Sequence, residues 1–478
     1  MKGIRGYIAM KILLVWPRDI NRSSTLPLAY AYLVNQIDRE KHTVRLLDCA
    51  LDNIPAARPR FSKEVEEFQP DLVGFSCWSC SVSEVIDGLK AVRKVTPSAV
   101  TIVGGVHPSL FPEMLTRVPE IDFIFCGETI TAFTRFLEEL ELQSRRWEMI
   151  PGLGFRAAGG ETVINEKEEI RDLDDQPLPD YGFIKLHEYQ RSGYKPFTSS
   201  RRSAPILATR GCPYRCQFCS VPQYLGPGFK HHSLDYLVKL ITTLHYQYGV
   251  DYINIMDNSF TQDLDFAKEF CRKMISLDLP VKFTTGRGIR MEQTDRELFR
   301  LMKEAGWDAI TFAGESGSNR VLENMQKGID SALILEKVAQ VRETGLKVFA
   351  YFMYGYPDET EEDIARTLKL IRDCRPDFFH LFRFNPLPGT PVYDELQARG
   401  DLPSEDGSVP VDFARGDSPY VPHTLSNFNF RGTLLKAYLR LFITHPAGIY
   451  YFFKNVGGPA TVIKHFVLRI ILGRAPLA

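Results

Sequence analysis

The sequence predicts an α/β protein: a doubly wound parallel sheet, then a partial barrel of six strand–helix units, then a helical, basic carboxyl-terminal region. Three observations predict it. Short continuous apolar runs alternate with helical stretches twice along the chain, the pattern of strands buried on both faces. A polar, proline-rich stretch separates the two series. Beyond Asp417 there are 61 residues with no Asp or Glu and seven Lys or Arg, so the tail is a different kind of surface.

The first series covers residues 10–145, with strands expected at Ile12–Trp16, Val44–Leu47, Leu72–Phe75, Thr101–Val103 and Phe123–Phe125. Met10 opens directly onto an apolar strand, and Met1–Tyr7 carries Lys2 and Arg5 with no long apolar core, so no secretory leader is expected. Ligands of doubly wound sheets sit beyond the carboxyl ends of the strands. Those ends bring Asp48, Ser76 to Ser79, Gly104-Gly105-Val106-His107-Pro108 and Cys126-Gly127-Glu128 to one edge. Paired glycines there allow a ligand close to the backbone, or mark a tight turn. Cys49, Cys77, Cys80 and Cys126 reach the same edge. They read either as ligands of a second cluster or metal, or as small buried hydrophobes, and their separations repeat no compact metal motif.

Residues 146–200, which include Gly152, Gly154 and Leu173-Asp-Asp-Gln-Pro-Leu-Pro-Asp-Tyr181, are expected to form a linker. The second series covers residues 201–400, with strands near Ile206–Thr209, Tyr252–Met256, Lys282–Thr285, Ala309–Ala313, Lys347–Met353 and Phe379–Phe384. Six units fall short of a closed eight-stranded barrel, whose catalytic face is again the carboxyl end of its strands.

Cys212, Cys216 and Cys219 follow the first of these strands as C-x3-C-x2-C. Three thiolates so spaced can hold three irons of a four-iron, four-sulfur cluster and leave the fourth open. A structural zinc site would need a fourth nearby ligand, and His231 and His232 lie beyond a loop with Gly226, Pro227 and Gly228. The other strand ends carry polar groups. Asp257 lines a pocket or caps a helix. Arg287 and Arg290 suit a bidentate carboxylate, or a surface ion pair. Gly314-Glu315-Ser316-Gly317-Ser318 sets polar groups between glycines that let a ribose approach. Gly355 opens a segment running to Glu359, while Asp358 to Asp363 also suits a helix start.

The run Thr-Arg-Gly-Cys-Pro-Tyr-Arg-Cys-Gln-Phe-Cys-Ser resembles the signature of the radical S-adenosylmethionine superfamily. The Ser76/Ser79 region, Gly-Gly-Val-His-Pro and Asp122 to Glu128 resemble the cobalamin-binding domain that precedes the radical module in a large class of methylases and cyclases. The resemblance implies a 4Fe-4S cluster on the three cysteines whose open iron chelates S-adenosylmethionine, with one-electron cleavage to a 5′-deoxyadenosyl radical. It implies cobalamin near Ser76, Ser79, Gly104, Gly105, His107 and Glu128, S-adenosylmethionine near Arg287, Glu315, Ser316 and Gly355, and Asp257 on the S-adenosylmethionine or the cobalamin face. Cobalamin domains that place a histidine on cobalt have D-x-H-x-x-G in the first loop, whereas this chain has Asp19-Ile-Asn21-Arg-Ser-Ser24, so cobalt without a histidine is implied. A reductant such as ferredoxin or flavodoxin is implied as partner. The activity expected first is C-methylation of an unactivated carbon on an apolar, isoprenoid- or lipid-like small molecule. Oxidative ring closure of the anaerobic porphyrin type comes second, and a non-catalytic cobalamin or iron–sulfur sensor is the reading from another class.

Composition sets the outer bounds. A net charge of −1 and 24% charged residues give no nucleic-acid signal, and nine mostly isolated cysteines suit a reducing cytoplasm rather than a disulfide scaffold. In the tail, Leu434, Leu435, Tyr438, Leu439 and Phe442, and then Val462, Ile463, Phe466, Val467, Ile470 and Ile471, have helical spacing beside basic residues. Each stripe is too short to span a bilayer. They read as peripheral contacts with the inner membrane surface, or as a lid on the barrel.

Overall fold

The computed structural model describes residues 9–18, 26–167, 172–192, 200, 202–226, 228–402, 418 and 420–444. Strands β1 (Lys11–Trp16), β2 (Thr43–Asp48), β3 (Leu72–Ser76), β4 (Val100–Gly104) and β5 (Phe123–Phe125) form a parallel sheet in the order β2-β1-β3-β4-β5. Winding reverses between β1 and β3, so Ser76, at the end of β3, stands at the switch point where such sheets take ligands. Helix Val82–Val95 covers one face by burying Val85, Leu89 and Val92 at helical spacing.

The stretch expected as a connection does more than connect. β6 (Leu153–Arg156) and β7 (Thr162–Ile164) add antiparallel to β5 and extend the sheet to seven strands. Gly154 suggests a turn in the sequence, but a Cβ there would lie 2.5 Å from Ile124 and 2.6 Å from Ile164, so glycine is what lets β6 fit between its neighbours.

In the second half, β8 (Ser203–Ile206), β11 (Tyr252–Ile255) and β12 (Lys282–Thr284) form one parallel sheet, and β13 (Ala309–Glu315), β14 (Lys347–Tyr354) and β15 (Phe378–Arg383) a second. Parallel bridges Phe283–Trp307 and Ile289–Phe312 join them into the six-unit partial barrel that the sequence predicts. The first strand stands earlier than expected, sharing only Ile206 with the expected Ile206–Thr209, and β9 (Thr209–Gly211) pairs antiparallel with β10 (Phe229–His231) to bracket the cysteine loop. Helices following the strands begin at side-chain caps: Ser233, Asp263, Asp295, Asp330, Thr360 and Thr390 each accept a backbone N–H of the first turn. These caps fix where each edge loop ends.

The connecting stretch is tied to both halves: Tyr189 donates to Asp48 at 2.7 Å, Asn35 donates to the Leu178 carbonyl at 2.6 Å, and Tyr181 donates to the Pro205 carbonyl at 2.5 Å. Helix Phe430–Thr444 lies against the last strands, with Tyr438 stacked on Phe379 at 5.1 Å and Phe430 against Tyr354 at 5.5 Å. The second tail stripe, from Val462, lies outside the described residues, as do Asp19 to Ser24. Among the described residues no helix is long and apolar enough to cross a membrane.

Candidate active site at two facing sheet edges

Cys212, Cys216 and Cys219 occupy one loop at the carboxyl edge of the barrel, Cys216 buried and the others partly open. The loop is held by its own backbone, Cys219 N donating to Cys216 O at 3.1 Å, and by Gln217 N donating to Met325 O at 3.0 Å. Burial pushes the Cys219 thiol up to about 11 and raises that of Cys212. Such thiols give up their protons to a metal rather than to water. Among the described residues no three His, Cys, Asp or Glu side chains meet at one point. A four-iron cluster does not ask this, since each thiolate takes its own iron. The donor set fits the cluster.

Two cations flank it. Lys327 Nζ lies 2.7 Å from Glu315 Oε1 inside the protein, and Arg290 Nη1 donates to Cys216 Sγ at 3.5 Å. Arg290 also bonds Glu292 and the Lys327 carbonyl and lies over the Tyr214 ring, so it is not offered to a ligand carboxylate. Arg287 is: it is exposed at the same edge and, among the described residues, makes a 3.5 Å contact to Asn258 Oδ1. Lys327, at the end of a short helix, carries no signal in the local sequence.

Asp257 does not cap a helix; Asp263 does. Asp257 Oδ1 instead accepts from Ala208 N at 2.8 Å, bracing the turn before the cysteines, and burial raises its carboxyl to about 7. Among the described residues its second oxygen, Ser259 Oγ and Thr285 Oγ1 are buried without a hydrogen bond of normal geometry, with Thr209 the neighbour that favours the charged form of Asp257. Orphaned polar atoms at neighbouring strand ends mark where a polar ligand would satisfy them, which fits S-adenosylmethionine. Ser316 has no such freedom. Its hydroxyl is fully buried between Thr367 Oγ1, at 3.1 Å, and Ser318 N, so it orders the loop that presents Glu315. Gly355 N donates to Glu359, whose carboxyl burial raises to about 7.

On the first edge, Ser79 Oγ lies 3.2 Å from His107 Nδ1, and burial lowers that imidazole to about 4, which keeps it neutral. Gly104 and Gly105 differ. A Cβ on Gly105, at φ +110°, would lie 2.8 Å from the Cys77 carbonyl, whereas one on Gly104 would meet nothing closer than 3.8 Å. Gly105 shapes the turn, and Gly104 leaves the edge open. Cys49, Cys77 and Cys126 are core residues in one cluster with Phe61, Val65 and Phe75, as the hydrophobe reading expects, whereas Cys80 is only partly buried.

The edges face one another. Glu128 of the first sheet lies 3.6 Å from Arg210, two residues before Cys212. Arg210 Nε faces Glu128 Oε1 at that distance, and among the described residues neither Nε nor the buried Glu128 Oε2 makes a hydrogen bond, a polar seam that suits the amide-fringed rim of a corrin. Arg210 adjoins the cysteine motif, yet only the fold shows that it meets Glu128.

Residues 206–371 match the Radical SAM superfamily and residues 22–137 match the B12 binding domain. An uncharacterized methyltransferase of Pyrococcus horikoshii is 28% identical, with 80% of this chain and 83% of that protein covered. The cytidylyl-2-hydroxyethylphosphonate methyltransferase of Streptomyces wedmorensis is 26% identical, with 85% of each covered. The fold is shared with the radical S-adenosylmethionine methyltransferase TsrM of Kitasatospora setae, solved with tryptophan substrate and a SAM analogue: TM-score 0.72, 18% identity, 90% of this chain and 88% of that one covered.

Proposed function

We propose that this chain, a radical S-adenosylmethionine enzyme with an amino-terminal B12 binding domain, methylates an unactivated carbon of an apolar, isoprenoid- or lipid-like molecule. The observation that carries the reading is the 3.6 Å approach of Glu128 to Arg210, which sets the first sheet's open edge against the cysteine loop. When bound, the cluster and S-adenosylmethionine supply a carbon-centred radical and cobalamin a methyl group. The chain's residues bind and orient. Cys212, Cys216 and Cys219 hold iron, Arg287, Glu315 and Gly355 line the S-adenosylmethionine side, and Ser76, Ser79, Gly104, His107 and Glu128 line the cobalamin side.

An apolar substrate is supported by the partly open face of β14 and β15. Phe349, Tyr351 and Met353 alternate with buried Val348, Ala350 and Phe352, and Tyr351 pairs in register with His380 and Met353 with Phe382. His380 stacks on Phe382 at 5.2 Å, and burial lowers its imidazole to about 4, so this wall is neutral. The reading brings with it a one-electron donor of the ferredoxin or flavodoxin kind, a cytoplasmic location, and peripheral contact of the basic tail with the inner membrane surface.

The test is anaerobic turnover with trideuteromethyl S-adenosylmethionine, a strong reductant, cobalamin and a lipid extract as substrate source. Expected are 5′-deoxyadenosine and a deuteromethyl label in an extractable product, both lost in Cys212→Ala, Cys216→Ala and Cys219→Ala. Unlabelled ring-closed product would replace methylation with cyclisation. No 5′-deoxyadenosine from iron-replete protein would leave only a sensor.

A further inference from the structure

Arg290 is held on every side but one. Its guanidinium carbon lies 3.4 Å from the centroid of the Tyr214 ring, Nε bonds Glu292, Nη2 bonds the Lys327 carbonyl, and Gln293 Nε2 fixes the Tyr214 hydroxyl at 3.1 Å. The remaining arm, Nη1, points at Cys216 Sγ at 3.5 Å, and the side chain is 8% exposed. A guanidinium is permanently charged and its fork is rigid, so three fixed contacts determine where the fourth points.

We propose that Arg290 is a positioning residue that raises the reduction potential of the cluster, through a charge-assisted hydrogen bond to the Cys216 sulfur. This rests on the cluster reading above. Taking up one electron adds one negative charge to the cluster. A donor on a ligand sulfur and a nearby cation stabilise that reduced form more than the oxidised one. Arg290 and Cys216 are themselves buried, at 8% and 6% exposure, so solvent screens the contact between them little. Glu292 sits against the same guanidinium and offsets part of its charge, whereas the charge of Lys327 is met by Glu315. The two residues of the Arg290–Glu292 pair should therefore move the potential in opposite directions. The consequence for the enzyme is access to weaker one-electron donors, such as reduced flavodoxin.

The experiment is a potentiometric titration of the reconstituted holoenzyme with dithionite, followed by the electron paramagnetic resonance signal of the reduced cluster, alongside iron content. In Arg290→Gln the midpoint should become more negative at about four irons per chain. Arg290→Lys, which keeps charge but not the fork, should fall between. Glu292→Gln should shift the midpoint to more positive values. An unchanged midpoint in iron-replete Arg290→Gln overturns the proposal. Should that variant lose iron, Glu292→Gln decides: a positive shift supports the proposal, and no shift or a negative one overturns it. A wild-type protein that assembles no four-iron cluster would instead defeat the cluster reading itself.

Discussion

Lys327 Nζ lies 2.7 Å from Glu315 Oε1, with both side chains at about a tenth of full exposure or less. Burial alone would lower the lysine, but Glu315 and the Cys216 sulfur outweigh it and hold the ammonium above its ordinary value. Glu315 takes up φ +58°, a conformation costly for a non-glycine residue, so the pair helps to fix a strained backbone at the end of β13.

Breaking this pair from one side should cost more than removing it. Lys327→Met leaves a buried carboxylate alone and should destabilise the apo protein by about 3–5 kcal/mol in urea unfolding. Lys327→Met combined with Glu315→Leu should recover most of that loss, while neither variant binds S-adenosylmethionine in calorimetry. A double variant less stable than Lys327→Met would contradict the assignment.

The adjacent glycines on the first edge should separate folding from cofactor binding. Gly105→Ala meets the Cys77 carbonyl at 2.8 Å from a φ that L residues rarely adopt, and should cost about 1–3 kcal/mol or prevent folding. Gly104→Leu has room at its Cβ and should fold with normal iron content but without the cobalamin absorbance. Equal stability of the two variants, or cobalamin retained by Gly104→Leu, would remove Gly104 from the site.

The five parallel strands of the first sheet and the last five of the barrel are legible because strands buried on both faces read as unbroken apolar runs between helices. β6 and β7 are not, because Gly152, Gly154 and the prolines beyond read as a linker, and only the side chains of Ile124 and Ile164 show why position 154 is glycine. The cysteines announce themselves by spacing. Lys327 and Arg290 do not, since their roles depend on contacts with Glu315 and Cys216, 12 and 74 residues away in sequence. Ser316, between glycines, reads as a ligand contact in sequence, and only the fold shows its hydroxyl 3.1 Å from Thr367 Oγ1, 51 residues on.

Glu359 should make stability fall as pH rises. Burial lifts its carboxyl from 4.5 to about 7, against the backbone N–H groups of Gly355 and Tyr356 that favour the charged form. Between those values the unfolded chain has released the proton and the folded chain keeps it. Folding therefore binds a proton, and stability declines with pH through this window, by about 3 kcal/mol from this group. Asp257, His107 and His380 also titrate in this range but do so in both proteins, so Glu359→Gln should gain stability relative to wild type as pH rises from 4.5 to 7.5 in urea unfolding. A stability difference between the two proteins that does not change with pH would contradict the assignment.

The tail helix offers two faces that can be tested apart. Tyr438 is buried, lies parallel to Phe379 within 6° at 5.1 Å, and places its hydroxyl 3.5 Å from the Phe379 carbonyl. Tyr438→Ala should therefore cost about 3–5 kcal/mol, the range for truncating a buried aromatic. Leu439 and Ile443 point outward, at 46% and 79% exposure, beside exposed Lys436 and Arg440. Near an anionic bilayer each basic residue contributes about 1 kcal/mol, and the apolar pair adds insertion that salt does not screen. Leu439→Ser with Ile443→Ser should leave folding and iron content unchanged, because neither side chain is buried. The same pair should weaken co-sedimentation with anionic vesicles, and high salt should weaken it further. Vesicle binding that is absent from the wild-type protein, combined with loss of turnover in Tyr438→Ala, would make this helix a brace for β15 and remove the tail as support for a lipid substrate.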